Sequence, residues 1–319
     1  MPAMAKRAAT SAGVGSPRRS LAAARPRYGE RLIKLLLGAC AAFSVAVTGG
    51  IVLSLLSGTV EFLQAVPIGD FLLGTEWAPS FADPRFGVLP IVVGTLNIVF
   101  WSLVVAVPVG LASAIYLSEY APRRVRRAVK PMLEILEGIP TVAIGLWALV
   151  FLRPLAEDVF PFLPWTTPTS VGVAGVAVGL LIVPLVASVS DDAMRAVPAG
   201  LREGAYALGA GKMRVSLRVV FPAAISGVVA AIVLAVSRAI GETMVVLMAA
   251  GARPSITVDP TQSVQTMTAY IGQTATGDIA TGTVDYYTIF AVGGLLFLLT
   301  LGMNMLAIRL VRRFREVYE

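Results

Sequence analysis

The sequence contains no histidine and a single cysteine, Cys40. An internal disulfide is therefore excluded, and so is any Cys/His metal site. Charge is scarce as well. Only 14% of the 319 residues are Asp, Glu, Lys or Arg, against about 25% in soluble domains, too few to cover a water-facing surface. The chain has no GxxxxGK[ST] phosphate loop, no nucleophile–base constellation and no metal-ligand cluster. It therefore offers no catalytic residues and no nucleotide site of its own. No internal repeat is visible.

Hydrophobicity is what the chain has in excess: 56% of residues are apolar and the mean hydropathy is +0.80, which places it in a bilayer. The net charge of +7 needs no nucleic-acid partner to explain it. Lys and Arg gather as eight in 1–34, five in 123–130, five in 195–218 and four in 309–315. Only Arg85, Arg153, Arg238 and Arg253 stand outside these groups. Basic clusters alternating with apolar runs are the positive-inside pattern of a multi-pass membrane protein.

The spans follow from the apolar runs. Residues 1–30, rich in Ala, Arg, Ser, Gly and Pro, read as a disordered basic cytoplasmic tail. The run 35–56 is too long for the apolar core of a signal peptide and fits a first transmembrane helix of about 20 residues. Residues 59–87 hold four acids and one Arg and form an external segment, with Trp77 expected near the headgroups. Residues 88–118 carry no charge and form the second span, with a kink expected at Pro108. A third span is expected over 131–152, bent at Gly138-Ile139-Pro140. Glu134 and Glu137 lie in its first turns, either because a helix N-terminus tolerates acids or because they have a functional role. The fourth span, 169–190, carries the small-xxx-small pair Gly175 and Gly179, which allows close helix contact. Residues 191–221 form a cytoplasmic loop in which 199–207 reads as a short amphipathic helix ended by Gly209 and Gly211. The fifth span is 222–250, residues 253–285 are external, and the sixth span is 286–308. Every basic cluster then falls on one side, with both termini in the cytoplasm. The fold class is all-α: a polytopic membrane protein with six transmembrane helices and a cytoplasmic helix in its longest inner loop.

One motif lies in that loop. Glu203-Gly204-Ala205, three residues, Gly209, nine residues, then Val219-Val220-Phe221-Pro222 resembles the E-A-A-x3-G-x9-I-x-L-P pattern of ABC importer permeases. Gly204, Val219 and Phe221 depart from it, but the spacing is kept. Further stretches, FGVLPIVVGTL (86–96), VAVPVGLASAIYLSEYAP (105–122), EILEGIPTVAIGL (134–146), DDAMRAVPAGLREGAYALGA (191–210) and SRAIGETMVVLMAAG (237–251), resemble phosphate importer permeases of the PstC type. The resemblance covers residues 75–319, leaving 31–74 as a first transmembrane helix with its external segment. It implies that 199–207 is a coupling helix docking on a separate ATPase subunit through Glu203, Gly204, Ala205 and Gly209, with Pro222 opening the next span. It implies further a second, PstA-type permease, two ATPase subunits that hold the ATP and Mg, an external phosphate-binding protein, and a place in the bacterial inner membrane. This chain itself would then be a permease without enzymatic activity.

The fifth span holds one more signal. Arg238 and Glu242 are the only charges between residues 219 and 252, each costing several kcal/mol at membrane depth. On an unbroken helix they would share a face and point inward. A guanidinium stays charged when desolvated and offers bidentate hydrogen bonds to an oxyanion. Glu242 either orients Arg238 when the pathway is empty or competes for it, so that the anion is released. A buried ion pair that only locks helix packing is the structural alternative. The resemblance assigns Arg238 and Glu242 to translocation, and the neighbouring Ser237 and Thr243 complete the expected pathway. A single Arg is little for a divalent anion, so a second cation is expected from the partner permease. An importer of another oxyanion, such as sulfate or molybdate, is the nearest alternative function, and an ion-driven secondary transporter a more distant one.

Overall fold

The computed structural model describes residues 28–314. The expected basic tail lies outside the described residues save for its last three. The chain divides into two compact units, Met1–Ile51 and Val52–Glu319. The described part of the first is the beginning of helix α1 (Tyr28–Ala65). Leu35, Phe43, Val45 and Cys40 are all exposed along it, as suits a helix whose apolar surface runs all the way round.

The second unit opens with the last turns of α1, followed by α2 (Ile68–Leu73) and an antiparallel ribbon of β1 (Trp77–Ala78) and β2 (Arg85–Phe86) that pairs Trp77 with Phe86. Trp77 is not at a headgroup boundary. It is 5% exposed and meets Tyr270 edge-on at 4.9 Å, in an aromatic cluster with Phe62 and Phe71. The correction has a simple cause: the ribbon folds the indole inward onto α13, and a local composition argument cannot see that.

Helix α3 (Leu89–Ile115) starts with Pro90 in its first turn, runs unbroken through Pro108 and ends in a π-helical turn over 116–120. Helix α4 (Arg123–Glu137) already covers the basic run 123–130, ahead of the expected start of the third span at 131. The chain then turns by 89° into α5 (Thr141–Trp147), which continues through a π-helical turn over 148–152 into α6 (Arg153–Val159). The bend falls on Gly138-Ile139-Pro140, as expected. Proline lacks the N–H that would bond back into α4, and its ring disfavours helical backbone at the residue before it. The segment 153–168, between the expected third and fourth spans, is thus partly helical, and Arg153 is buried in it against Trp165.

Helix α7 (Val171–Ala196) is the core of the unit. Of its most apolar window 72% is buried, against 33% for α3 and 11% for α14. It runs six residues past the expected end of the span, so Asp191 and Asp192 belong to it. The small residues do what their spacing implies, and the partner is α3. A Cβ on Gly179 would lie 2.8 Å from the Ser102 carbonyl oxygen, and one on Gly110 of α3 would lie 2.7 Å from Val186. Gly179→Ala is therefore expected to push α3 and α7 apart, at a cost of about 1–3 kcal/mol. A lowered thermal unfolding midpoint of the purified protein checks this.

The remaining elements are α8 (Ala199–Ala207), α9 (Lys212–Val215) with a π-helical turn over 216–220, α10 (Phe221–Ala223), α11 (Ile225–Ile240), α12 (Met244–Ala249), α13 (Met267–Thr276) and α14 (Val284–Phe314). Four helices are long and apolar enough to cross a membrane, and six spans result if each bent pair, 123–159 and 212–240, counts as one. The segment 253–285, expected to be external and polar, is largely folded in. Its Gln262 and Pro260 carbonyls accept the Val171 and Gly172 N–H groups at 2.9 and 2.8 Å, satisfying orphan donors at the start of α7. Thr261, Ser263, Gln265 and Thr266 are buried. Asp259 shapes this turn: the Thr261 N–H and hydroxyl both donate to it, which holds its carboxyl below the usual carboxylate range. The stabilisation is present at neutral pH and is lost as pH falls through that lowered value.

Candidate functional site

The charged pair of the fifth span does not sit on one continuous helix. Helix α11 ends at Ile240, Gly241 takes φ −86° and ψ −2°, and α12 begins only at Met244. The last bonds of α11 run from the Gly241 and Glu242 N–H groups to the Ser237 and Ala239 carbonyls, each at 3.3 Å. Glycine is the weakest helix former after proline, and here a side chain is ready to cap the restart. Glu242 Oε1 accepts the Met244 and Val245 N–H groups at 3.1 and 3.2 Å. A carboxylate at a helix N-terminus satisfies orphan donors and suits the dipole. The Glu242 carbonyl accepts the Thr268 hydroxyl of α13 at 2.7 Å. The expectation that Glu242 faces Arg238 is thus corrected: the carboxylate is committed to its own backbone.

Arg238 finds its carboxylate 101 residues away. Its Nη1 donates to Glu137 Oε1 at 2.8 Å. Glu137 is the last residue of α4, next to the 89° bend. Of the two roles open to Glu137 from the sequence, the tolerated acid of a first turn fails on position, because it closes a helix instead of opening one. The ion pair ties two helix breaks together, and the packing beyond it does the same. Gly145 of α5 sits against the backbone of Met244 and Val245 in α12, where a Cβ would be 3.2 Å from each. The two side chains of the pair are 32% and 37% exposed. Glu137 engages one edge of the guanidinium and leaves most of its N–H donors unengaged.

Around the pair the other expected residues are placed as follows. The Ser237 hydroxyl donates to Asn304 Oδ1 of α14 at 2.7 Å. The Thr243 hydroxyl donates to the Gly241 carbonyl at 3.3 Å, and its methyl lies over Gly272 of α13. Non-helical backbone at membrane depth is tolerated only where it is buried in protein or lines a wet cavity. Two such breaks meet here at one cation, about one-third exposed. Asn304 was missing from the sequence reading, and Glu137 was named there but not as the partner of Arg238. Asn304, a polar residue inside an apolar helix, was the available signal for the first.

The second group of expected residues forms an outward face. Helix α8 has the expected bounds, 199–207. Glu203 and Gly204 are exposed, and Leu208 is 90% exposed. Ala205 turns inward against the cluster of Met194, Val197, Val215 and Val220. Gly209 takes φ +79°, a conformation open to glycine, and its N–H caps the Tyr206 carbonyl at 2.9 Å. Pro222 does not open the span as expected. It lies in α10, just before the 71° bend that leads into α11 at Ile225, because the π-helical turn over 216–220 carries the helix on from α9.

What fixes α8 is a residue the motif omits. Arg202 Nη1 donates to the Val197 carbonyl and Nη2 to the Met194 carbonyl, each at 2.7 Å, and Nη2 also donates to Glu119 Oε1 at 3.1 Å. One guanidinium thus closes the end of α7 and pins α8 to the end of the α3 segment.

The chain thus has two broken apolar spans joined by the Arg238–Glu137 pair, and a loop helix with an exposed face. Residues 106–316 match the family model of binding-protein-dependent transport system inner membrane components, and the chain belongs to that family: it is a permease subunit of an ABC importer, a multi-pass membrane protein. It is 33% identical to a probable ABC transporter permease protein, YqgH, of Bacillus subtilis, over 88% of each chain. It is 32% identical to the phosphate transport system permease protein PstC of Xylella fastidiosa, over 91% of each chain. PstC 1 of Mycobacterium tuberculosis is 32% identical over 80% of this chain and 85% of its own length. In fold it is similar to the MetNI methionine ABC transporter, with a TM-score of 0.53 and 21% identity over 72% of this chain and 95% of that one. A bacterial alginate ABC transporter matches with a TM-score of 0.62 and 15% identity over 90% and 96%.

Proposed function

We propose that this permease forms half of the translocation pathway of an ATP-driven phosphate importer, and that Arg238 is the residue that takes the anion through it. The observation that carries the reading is the guanidinium held at the junction of two broken spans. A hydrated oxyanion entering a low-dielectric passage needs a fixed positive charge to replace its water, and arginine keeps that charge and offers a planar fork. The PstC relatives support phosphate over other oxyanions; the methionine and alginate transporters share the fold alone. The partners are a second, PstA-type permease that supplies a further cation, two ATPase subunits that hold ATP and Mg, and an external phosphate-binding protein. The chain lies in the bacterial cytoplasmic membrane with both termini inside. The exposed face around Glu203 and Leu208 docks on the ATPase.

Glu137 supplies the role first considered for Glu242. Its carboxylate neutralises Arg238 when the pathway is empty, and it must be displaced when phosphate arrives. Competition of this kind keeps the anion from being held too tightly to leave. Glu137→Gln is expected to raise the affinity of the assembled complex for labelled phosphate, measured without the binding protein, and to slow uptake. One charge-assisted hydrogen bond, about 1.5–3 kcal/mol, corresponds to about tenfold or more. Unchanged phosphate retention would reduce the pair to a structural contact. The substrate itself is tested by uptake of labelled phosphate into vesicles containing the whole importer. Excess unlabelled phosphate should block uptake, whereas sulfate or molybdate should not. Uptake of labelled sulfate or molybdate with none of labelled phosphate would transfer the mechanism to another oxyanion.

A further inference from the structure

The basic residues at the start of the bent pair form more than a topology signal. Helix α4 and the end of α7 enclose a cleft of about 710 Å³ lined by Arg123, Arg126, Arg127, Lys130, Asp192 and Arg195, with Glu134 at one end. Two of its cations are spoken for. Arg126 Nη2 lies 2.7 Å from Asp191 Oδ2, which is almost fully buried, and Lys130 Nζ lies 2.5 Å from Asp192 Oδ1. Among the described residues, Arg123, Arg127 and Arg195 form no ion pair, and all three are exposed. On α4, Arg123, Arg127 and Lys130 recur at helical spacing, so they share a face. Arg195 joins them from the last turn of α7.

The same helix carries a contrasting surface. Met132, Ile135 and Leu136 of α4 are exposed, on the face of the helix opposite Arg123, Arg127 and Lys130. The 89° bend sets α4 across the direction of the apolar segment that follows it. If that segment spans the bilayer, α4 lies in the plane of its surface. A helix that lies flat, basic on one face and apolar on another, has the build of an interfacial element. The positive-inside pattern puts this end of the spans on the cytoplasmic side, where anionic lipids present phosphate groups. The pinned acids Asp191 and Asp192 do not cancel the site, because each is already paired.

We infer that this cleft binds the headgroup of an anionic phospholipid of the cytoplasmic leaflet, with Arg123, Arg127 and Arg195 around its phosphate. Charge complementarity and the opposite, apolar face of α4, which seats the helix at headgroup depth, together select a lipid over a free anion. The inference does not depend on which substrate the importer carries. It has a consequence for transport, because α4 ends in Glu137: a lipid that fixes α4 to the membrane surface also fixes the carboxylate that faces Arg238.

The test uses the assembled importer, purified in detergent, stripped of lipid and then offered phosphatidylglycerol or phosphatidylcholine, with retained lipid read by native mass spectrometry. The wild type should retain phosphatidylglycerol selectively. The triple variant Arg123→Gln/Arg127→Gln/Arg195→Gln should lose that retention, by about a hundredfold in affinity at about fivefold per cation. The corresponding Arg→Lys variant should keep most of it, because it retains the charge. If the wild type shows no preference for phosphatidylglycerol, the inference fails without recourse to any variant. It fails as well if the triple Gln variant retains the lipid unchanged. Displacement of the lipid by millimolar inorganic phosphate would make the site one for a free anion and overturn the assignment.

Discussion

Arg238→Gln is expected to abolish phosphate uptake by the assembled importer while leaving its assembly intact. The size of the loss follows from what the guanidinium offers. Two charge-assisted hydrogen bonds to an oxyanion are worth about 1.5–3 kcal/mol each, which amounts to about a hundredfold or more in passage of the anion. Glutamine can donate but brings no charge. Assembly survives because the pair with Glu137 is about one-third exposed on both sides, and such pairs contribute about 0–1 kcal/mol. Uptake of labelled phosphate into vesicles, together with co-purification of the ATPase subunits, reads both halves of the result. Normal uptake by the variant would remove Arg238 from the pathway.

Arg202→Ala is expected to uncouple the importer. The substitution removes four hydrogen bonds at once and leaves the Glu119 side chain, 6% exposed, without its cation. Stranding a buried charge costs about 3–5 kcal/mol, and the Met194 and Val197 carbonyls lose their donor as well. Helix α8 then loses its fixed relation to α7, while its exposed face stays chemically unchanged. ATP turnover by the complex should persist and no longer rise with loaded binding protein, and transport should fall in parallel. Lysine at this position should not rescue, because a single ammonium lacks the planar fork that reaches two carbonyls and a carboxylate together. Restored coupling in Arg202→Lys would show that charge alone holds the helix. Adding Glu119→Gln to Arg202→Ala should recover part of the lost thermal stability but not the coupling.

The parts of this molecule that were legible in the sequence are those set by local chemistry. Gly209 and the amphipathic spacing before it marked α8 to the residue, and the structure supplies the reason in the positive φ at Gly209. Gly138-Ile139-Pro140 announced the bend, because proline at a fixed position removes a fixed hydrogen bond. Gly175 and Gly179 announced a close contact but not its partner, since spacing on one helix says nothing about which other helix fills the groove.

The site itself was half legible. Arg238 stood out as a charge in an apolar run, but its partner was assigned by the i, i+4 rule to Glu242. That rule holds only if the helix is continuous. Gly241 is tolerated in many helices. What makes it a break here is the tertiary support on its far side: Glu242 capping α12, Thr268 holding the Glu242 carbonyl, and Gly145 letting α5 close on α12. The pairs Arg238–Glu137 and Arg202–Glu119 join residues 101 and 83 positions apart, and one sequence carries no local signal for such distances. Trp77 failed for a related reason. An indole among acids and prolines fits an interface, and only the ribbon that turns it onto Tyr270 makes it core.

The central claim is that Arg238 lies on a water-accessible conduit. Cys40 is the chain's only cysteine, so Cys40→Ser/Arg238→Cys gives a single reporter thiol in this chain, read on this subunit within the assembled importer. Its reaction with a membrane-impermeant thiol reagent, applied from either side with and without ATP and loaded binding protein, tests the claim most directly. The account predicts that the thiol reacts, from a side that changes with the state of the ATPase. A thiol that stays inert from both sides in every state, while the complex still hydrolyses ATP, would contradict it.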